Sequence, residues 1–166
     1  MAFHRLFVDH ELCFGCYACE VACKQENNLP VGAKWIRVIT EGPSYVNGKL
    51  SMSYIPMTCR HCTNAPCISA CPQDAITRRQ DGIVTINAES CIGCLECLSA
   101  CPFGAPQFNS ERDIVEKCNL CVDRVEKGLA PACAQACPAG AIYYGDINEI
   151  TEKVRQRKAG FLVRNS

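Results

Sequence analysis

Short stretches of alternating apolar and polar residues predict paired β-strands along much of the chain. Residues 35–40 and 50–55 alternate in this way, and the Asn47-Gly48 step between them is a strong signal for a two-residue turn. We therefore expect a β-hairpin, and because it contains no cysteine we interpret it as a cover or a docking surface. Trp35, the only tryptophan, is expected to pack in the interior, with a contact to a partner protein as the alternative.

Two more pairs of apolar runs predict strands. Residues 75–78 and 83–86 flank Asp81-Gly82, which indicates a second hairpin. Residues 5–8 and 141–144, near the two ends of the chain, are strand-like as well, and we expect them to lie side by side.

The last apolar pattern predicts a C-terminal helix. Asp146 and Glu149 resemble a capping box ahead of Ile150 and Val154, and a Lys/Arg-rich turn comes before Gly160. We expect this helix to end near Gly160 and to carry its basic residues on a solvated face.

Cysteine dominates the composition: 16 of the 166 residues are cysteine, and the apolar share of 48% counts them. The remaining apolar core is thin, so something besides apolar burial must stabilise the fold.

Lys and Arg together number 17, as do Asp and Glu, which argues against a nucleic-acid binder with a basic surface. No apolar run approaches the length of a direct membrane span. The first ten residues contain no apolar signal-peptide segment, so we expect a cytoplasmic protein with reduced thiols.

The cysteines form four groups of four with none left over. The groups are Cys13, Cys16, Cys19 and Cys23; Cys59, Cys62, Cys67 and Cys71; Cys91, Cys94, Cys97 and Cys101; and Cys118, Cys121, Cys133 and Cys137. Bacterial-type ferredoxins hold 4Fe-4S clusters with such runs, in which three closely spaced thiolates bind one cluster and the fourth binds its neighbour. Zinc sites and disulfides are the alternatives, but structural zinc sites usually pair two Cys-x2-Cys units across a longer gap.

Residues inside and beside these groups indicate how their surroundings differ. Gly15 and Gly93 lie within Cys-x2-Cys loops, where the missing Cβ allows backbone N–H groups to approach cluster sulfurs. His61 lies in the same kind of loop and is expected to be an ordinary loop histidine, with a hydrogen bond to a cluster or ligation as the alternative. Lys24 replaces the proline that follows the other groups, which indicates either a cation beside a cluster or a helix that continues.

The predicted hairpin at residues 75–86 joins the second and third cysteine groups, so we pair these groups in one module and the first and fourth groups around it. Exchange of the fourth cysteine within each pair then predicts four clusters. Their ligand sets are Cys13, Cys16, Cys19 and Cys137; Cys118, Cys121, Cys133 and Cys23; Cys59, Cys62, Cys67 and Cys101; and Cys91, Cys94, Cys97 and Cys71.

The expected fold class is α+β, with two interleaved bacterial-ferredoxin-like modules that contain short β-hairpins, short helices and two 4Fe-4S clusters each. Residues 1–30 and 110–166 form the predicted outer module, and residues 59–109 form the inner one. Residues 31–58 are the β-hairpin insertion between them.

These motifs resemble those of the four-cluster, ferredoxin-like electron-transfer subunits that accompany molybdenum or tungsten enzymes of the dimethyl sulfoxide reductase type. The resemblance covers nearly the whole chain and rests on all sixteen cysteines, with residues 59–67 and 133–142 the most telling stretches. Members of this family share the pairing of the first group with the fourth and of the second with the third. The chain ends at Ser166 without the C-terminal extension of many longer members, which favours a soluble complex.

The resemblance implies a non-catalytic subunit that passes single electrons along four 4Fe-4S clusters. Its expected partners are a large catalytic molybdo- or tungsto-pterin subunit and a further electron-transfer subunit or ferredoxin. A free polyferredoxin shuttle and a subunit of a hydrogenase or formate dehydrogenase complex are the alternatives. No catalytic constellation is apparent in the sequence, in keeping with a non-catalytic role.

Overall fold

The computed structural model describes residues 4–164, and its β-structure within that range consists of two-stranded antiparallel sheets. In chain order the elements are β1 His4–Val8, a 3-10 helix His10–Leu12, α1 Ala18–Glu26, β2 Ile36–Val46, β3 Lys49–Thr58, α2 Pro66–Ser69, β4 Ile76–Arg78, β5 Val84–Ile86, α3 Glu96–Ala100, β6 Gln107–Asn109, β7 Ile114–Glu116, α4 Val122–Val125, α5 Ala132–Gln135, β8 Ile142–Asp146 and α6 Ile147–Arg164. Residues 1–3 and 165–166, which the predicted outer module includes, lie outside the described residues. Among residues 4–164, none of the helices combines the length and apolar character needed to span a membrane.

The predicted hairpins are confirmed. Strand β2 pairs with β3 around Asn47 and Gly48, which both adopt the positive φ angles, 51° and 77°, that a tight hairpin turn requires. The two strands are longer than the sequence predicts, because they continue through a bulge between Glu41 and Ser44. Strand β4 pairs with β5 as expected, with Ile76 opposite Ile86.

The strands near the two ends of the chain also pair as predicted. In the antiparallel β1–β8 ladder, Leu6 lies opposite Tyr144 and Val8 lies opposite Ile142. This ladder places the segment that precedes the first cysteine group beside the segment that follows the fourth.

The β6–β7 hairpin was not predicted from the sequence. Each strand has only three residues, and the connecting segment is polar and charged, so no alternating pattern is long enough to detect. The Asn109 side chain starts the turn by accepting a hydrogen bond from the Glu111 amide at 3.0 Å.

Helix α6 contradicts one prediction for the C-terminus. It passes through Gly160 and ends at Arg164, because a glycine within a helix costs only about 1 kcal/mol and does not terminate it without a capping contact. Its basic residues Lys153, Arg155 and Lys158 are exposed, as predicted, but part of this face also makes ion pairs. Arg157 pairs with the buried carboxylate of Asp9, and Lys158 lies 2.5 Å from Glu11, so the helix is fixed to the N-terminal segment.

Cysteine side chains are part of every apolar cluster in the interior. The first cluster contains Val8, Cys19, Cys23, Leu29, Ile36, Val38, Cys133 and Ile142. The second contains Ala65, Cys67, Ile76, Val84, Cys97 and Val115. The third contains Cys59, Ala105 and Cys118. Helix α1 packs against α5, and α2 packs against α3, so cysteines from the first and fourth groups share one region while those of the second and third share another.

A buried carboxylate joins α1 to the long hairpin. Glu20, only 5% exposed, accepts a hydrogen bond from the Val38 amide at 2.6 Å and pairs with the more exposed Lys34. The sequence offers no signal for this contact, since Glu20 looks like any polar residue on a helix.

Replacing Glu20 with alanine is expected to lower the free energy of unfolding by about 1–3 kcal/mol, because the Val38 amide loses its acceptor in a buried position. Lys34→Ala is the matched control. It removes only the partly exposed partner and is expected to cost no more than about 1 kcal/mol. Denaturant unfolding of both iron-loaded variants under anaerobic conditions measures the difference, and equal losses would show that the amide contact is unimportant.

Candidate functional site

Three small cavities each have four cysteines in their walls. The Cys16 site is lined by Cys13, Cys16, Cys19 and Cys137. The Cys62 site is lined by Cys59, Cys62, Cys67 and Cys101. The Cys94 site is lined by Cys71, Cys91, Cys94 and Cys97. In each site, three cysteines come from one group and the last comes from a different group.

The four remaining cysteines form the Cys121 site, which consists of Cys23, Cys118, Cys121 and Cys133. Burial, followed by the nearby charges of Cys118 and Cys121, raises the pKa of Cys23 to about 12. Burial and then the charges of Cys118, Cys23 and Cys121 raise the pKa of Cys133. Cys23 and Cys133 pack in the same apolar cluster, and these mutual effects indicate that Cys118 and Cys121 lie near them. Three of the four cysteines come again from one group.

The same backbone turn recurs in the first Cys-x2-Cys loop of each of the four cysteine groups. The residue before the second cysteine of that loop has a left-handed conformation: φ is +73° at Gly15, +45° at His61, +68° at Gly93 and +60° at Leu120. The sequence contains glycine in only two of these loops, so the turn is imposed on a histidine and a leucine in the other two. In both of those loops the backbone amide of the left-handed residue donates a hydrogen bond to the sulfur of the first cysteine. The His61 amide lies 3.4 Å from the Cys59 sulfur, and the Leu120 amide lies 3.4 Å from the Cys118 sulfur.

The two loop glycines have a second role, because their surroundings leave no room for a side chain. An ideal Cβ on Gly15 would lie 2.4 Å from the Tyr54 ring, and one on Gly93 would lie 2.5 Å from the Asp113 carbonyl oxygen. The sequence indicated these glycines from their place in the loops, and the structure adds that a neighbouring hairpin packs against each one.

Hydrogen-bond donors surround several cysteine sulfurs. The Val115 amide lies 3.4 Å from the Cys91 sulfur, and the Ala141 amide lies 3.3 Å from the Cys137 sulfur. The Asn27 side chain donates to the Cys23 sulfur at 3.6 Å. Such donors stabilise negative charge on sulfur, as expected around thiolate ligands.

In the polypeptide without bound iron, burial disfavours the charged form of these thiols. It is the main cause that raises the pKa of Cys19, Cys97 and Cys118 to about 11 each. Buried thiolates that lie close together need a cation to neutralise them, and a bound metal deprotonates such ligands. The residues therefore match a site that is completed by positively charged iron rather than one that acts through free thiols.

His61 lies in a loop, as predicted, but it is buried and neutral. Its Nδ1 accepts a hydrogen bond from the Val84 amide at 3.0 Å. Burial and then the charge of Lys117 lower the pKa of His61 to about 3. The ring therefore supports strand β5, and the Cys62 site already contains four cysteines without it.

Lys24 and Trp35 both have structural roles. Lys24 lies within α1, which continues past Cys23, and its Nζ donates to the carbonyls of Pro30 at 2.5 Å and Ala33 at 3.0 Å. Trp35 packs against two of the apolar clusters, as predicted for interior packing.

Lys117 is a residue of the site that the sequence did not indicate. It follows β7 directly, precedes Cys118 and is only 4% exposed. Its ammonium group donates to the carbonyls of Val84 and Cys118. Nothing in the sequence distinguishes it from an exposed lysine, because its burial depends on how β7 packs against β5.

The donor sets fit an iron–sulfur cluster better than a single zinc ion. Structural zinc sites usually pair two Cys-x2-Cys units. The Cys16, Cys62 and Cys94 sites instead each combine three cysteines of one group with the last cysteine of another, which is the ligand pattern of ferredoxin clusters, and backbone amides donate to several of their sulfurs. Thiolate-only sets of four are the ligands of 4Fe-4S clusters.

Comparisons with known proteins agree with this chemistry. A family model described as a 4Fe-4S dicluster domain matches residues 50–147, and one described as a 4Fe-4S binding domain matches residues 10–28. A Halobacterium salinarum protein assigned as the iron–sulfur subunit of a dimethyl sulfoxide reductase is 42% identical, over 90% of this chain and 68% of its own length. A polysulfide reductase subunit of Wolinella succinogenes is 39% identical, over 89% of this chain and 78% of its own length. The formate dehydrogenase iron–sulfur subunit of the same organism is 37% identical, over 92% of this chain and 86% of its own length.

The match to the dicluster model covers more than half of the chain, and these relatives are matched over at least 68% of their own lengths. The four sets of cysteines described above account for all sixteen cysteines. The protein therefore belongs to the family of 4Fe-4S iron–sulfur subunits of oxidoreductases, which takes in electron-transfer subunits of the dimethyl sulfoxide reductase type.

Proposed function

We propose that the protein is a non-catalytic electron-transfer subunit that binds four 4Fe-4S clusters, one at each of the Cys16, Cys121, Cys62 and Cys94 sites. The four cysteines that define each site would be its ligands. Bound clusters of this kind each exchange one electron at a time. The protein supplies the thiolates and the hydrogen-bond donors to sulfur, and its fold sets the spacing between neighbouring sites.

The observation that supports this role best is that neighbouring sites contact each other in a single row. Cys19 shares an apolar cluster with Cys23 and Cys133, which joins the Cys16 and Cys121 sites. Cys59 and Cys118 share an apolar cluster, which joins the Cys121 and Cys62 sites. Cys67 and Cys97 share another, which joins the Cys62 and Cys94 sites.

The two ends of this row are accessible from solvent. Cys16 and Cys94 are the exposed cysteines of the chain, and each belongs to a terminal site. Exposed apolar residues stand beside them: Phe14 next to Cys16, and Ile92 next to Cys94. We infer that electrons enter and leave at these ends, where partner proteins contact the chain.

The same arrangement supports the predicted division into two interleaved modules. The Cys16 and Cys121 sites use cysteines of the first and fourth groups, which residues 1–30 and 110–166 contain. The Cys62 and Cys94 sites use those of the second and third groups, within residues 59–109. Residues 31–58 form the hairpin insertion, whose base reaches the Cys16 site through Val38 and Pro56.

Serine variants test the exchange of ligands between groups. We expect Cys101→Ser to alter the same electron paramagnetic resonance signal as Cys62→Ser, and Cys71→Ser to alter the same signal as Cys94→Ser, because these pairs share a cavity. Each variant should change one of four signals and leave three intact. If Cys71→Ser and Cys62→Ser changed the same signal, each group would bind its own cluster and the proposed exchange would be wrong.

The expected partner is a large catalytic subunit with a molybdo- or tungsto-pterin, together with a further electron-transfer subunit or a ferredoxin as the second redox partner. This proposal rests on the relatives named as subunits of reductases. A formate dehydrogenase complex is the second candidate, favoured by the relative of that name. We propose a cytoplasmic location, which the many free cysteines support because thiols stay reduced in that compartment.

An anaerobic pull-down from the native cell distinguishes these proposals. Iron, sulfide, molybdenum and tungsten are measured on the eluted material. A large pterin-containing partner would support the subunit role, and its activity would identify the enzyme. A lone 18.2 kDa protein that reduces several unrelated acceptors would contradict the subunit role and indicate a free shuttle.

A further inference from the structure

Lys117 is a buried cation that has no carboxylate partner in the part of the chain that the structure describes. It is 4% exposed, and its Nζ donates to the carbonyls of Val84 and, at 3.1 Å, Cys118. Within residues 4–164, no carboxylate lies within ion-pair distance of it. A buried ammonium group is costly unless negative charge nearby compensates it.

The negative charge available to Lys117 is that of cysteine thiolates. Its side chain lines the Cys62 site together with that site's four cysteines. The carbonyl that it contacts belongs to Cys118 of the Cys121 site, and Cys118 packs against Cys59 of the Cys62 site. The ammonium group therefore lies where the two middle sites of the row meet.

Lys117 lies closest to the Cys62 site, because its side chain lines that cavity and its ammonium group donates to the carbonyl of Val84, which lines the same cavity. Two arginines also lie near this site: Arg60 lines the cavity, and Arg78 donates to the Cys62 carbonyl at 3.5 Å. Both are partly exposed, so solvent screens them more. His61 adds no charge, because its Nδ1 accepts a hydrogen bond from the Val84 amide.

We propose that Lys117 is the internal counter-charge of the Cys62 site and raises the reduction potential of that site above the value it would have without the cation. Reduction adds one electron to the site, breaks no bond and takes up no proton. A fixed positive charge in a poorly solvated position stabilises the extra electron. The inference rests on the proposed function, since it requires a cluster at the Cys62 site.

A redox titration of the purified, iron-loaded protein, followed by electron paramagnetic resonance, tests this proposal. The Cys101→Ser variant identifies the signal of the Cys62 site. In Lys117→Gln, we expect the ratio of reduced to oxidised cluster at the wild-type midpoint potential to fall about tenfold, which is about 59 mV for one electron. Lys117→Arg retains the charge and should shift the ratio by less than about threefold. Lys117→Met is a second neutral variant in case glutamine prevents iron loading.

Lys24→Gln is the matched control. Lys24 also neighbours a cysteine in sequence and donates to two backbone carbonyls, but it contacts a surface loop rather than one of the cavities. We expect it to leave the Cys62 signal at its wild-type potential. The proposal is overturned if a fully loaded Lys117→Gln protein has unchanged potentials, if arginine shifts them as much as glutamine does, or if both neutral variants fail to bind iron.

Iron content separates this inference from the proposed function. A wild-type protein without about sixteen irons would contradict the four-cluster function whatever Lys117 does. A fully loaded wild type with an unaffected Lys117→Gln variant would contradict only the role of Lys117.

Discussion

Removing iron from the purified protein is expected to abolish its cooperative tertiary structure. Eight of the sixteen cysteines are buried, and cysteines occur in each of the apolar clusters. Without iron these side chains leave cavities between the elements that carry them, and the remaining apolar contacts come from short helices and two-stranded sheets. Isolated two-stranded sheets are only marginally stable, so the free energy of cluster binding becomes free energy of folding.

Hydrogen exchange before and after anaerobic treatment with an iron chelator measures this effect. We expect amides in α1, β5 and β8 to lose most of their protection when the iron is removed, since these elements contribute to the cysteine-containing clusters. The control is the same incubation without chelator. An iron-free protein that retains native-like protection would show that the polypeptide folds by itself.

Gly93→Ala is expected to cause a large loss of stability. Its φ of +68° disfavours any side chain by about 1–2 kcal/mol, and the new Cβ would lie 2.5 Å from the Asp113 carbonyl oxygen. Because that oxygen belongs to the backbone of the β6–β7 hairpin, the hairpin itself must move, which adds about 1–3 kcal/mol of overpacking. We expect a total of about 2–5 kcal/mol and faster loss of the cluster at the Cys94 site.

Gly104→Ala is the matched control for Gly93→Ala. Gly104 has a similar φ of +58°, but nothing lies within 4 Å of its ideal Cβ position. It therefore isolates the backbone strain, about 1–2 kcal/mol, from the close approach. Denaturant unfolding and the rate of cluster loss compare the two variants. Equal effects would show that the contact with Asp113 does not constrain this loop.

The features that could be predicted from the sequence are those fixed by local chemistry. Asn47-Gly48 and Asp81-Gly82 specify tight turns by themselves, and both hairpins form around them. Cysteine spacing is also local, because three ligands on one loop must face the same cavity. The strand pair near the chain ends follows from joining the first cysteine group to the fourth.

The features that could not be predicted depend on tertiary packing. Lys117 and Glu20 carry charge in the interior because of what packs over them, which their own sequence neighbourhood does not indicate. Gly160 looks like a helix end, yet α6 continues because Ile150 is buried and Arg157 contacts Asp9. His61 and Leu120 adopt the turn that glycine adopts in the other two loops, so residue type alone does not identify it.

The proposed electron-transfer role requires four 4Fe-4S clusters bound through the sixteen cysteines. Iron, acid-labile sulfide and zinc per polypeptide, measured on anaerobically purified protein, provide the sharpest test. We expect about sixteen irons, about sixteen sulfides and no stoichiometric zinc. About eight irons per polypeptide, or zinc in place of iron, would contradict it.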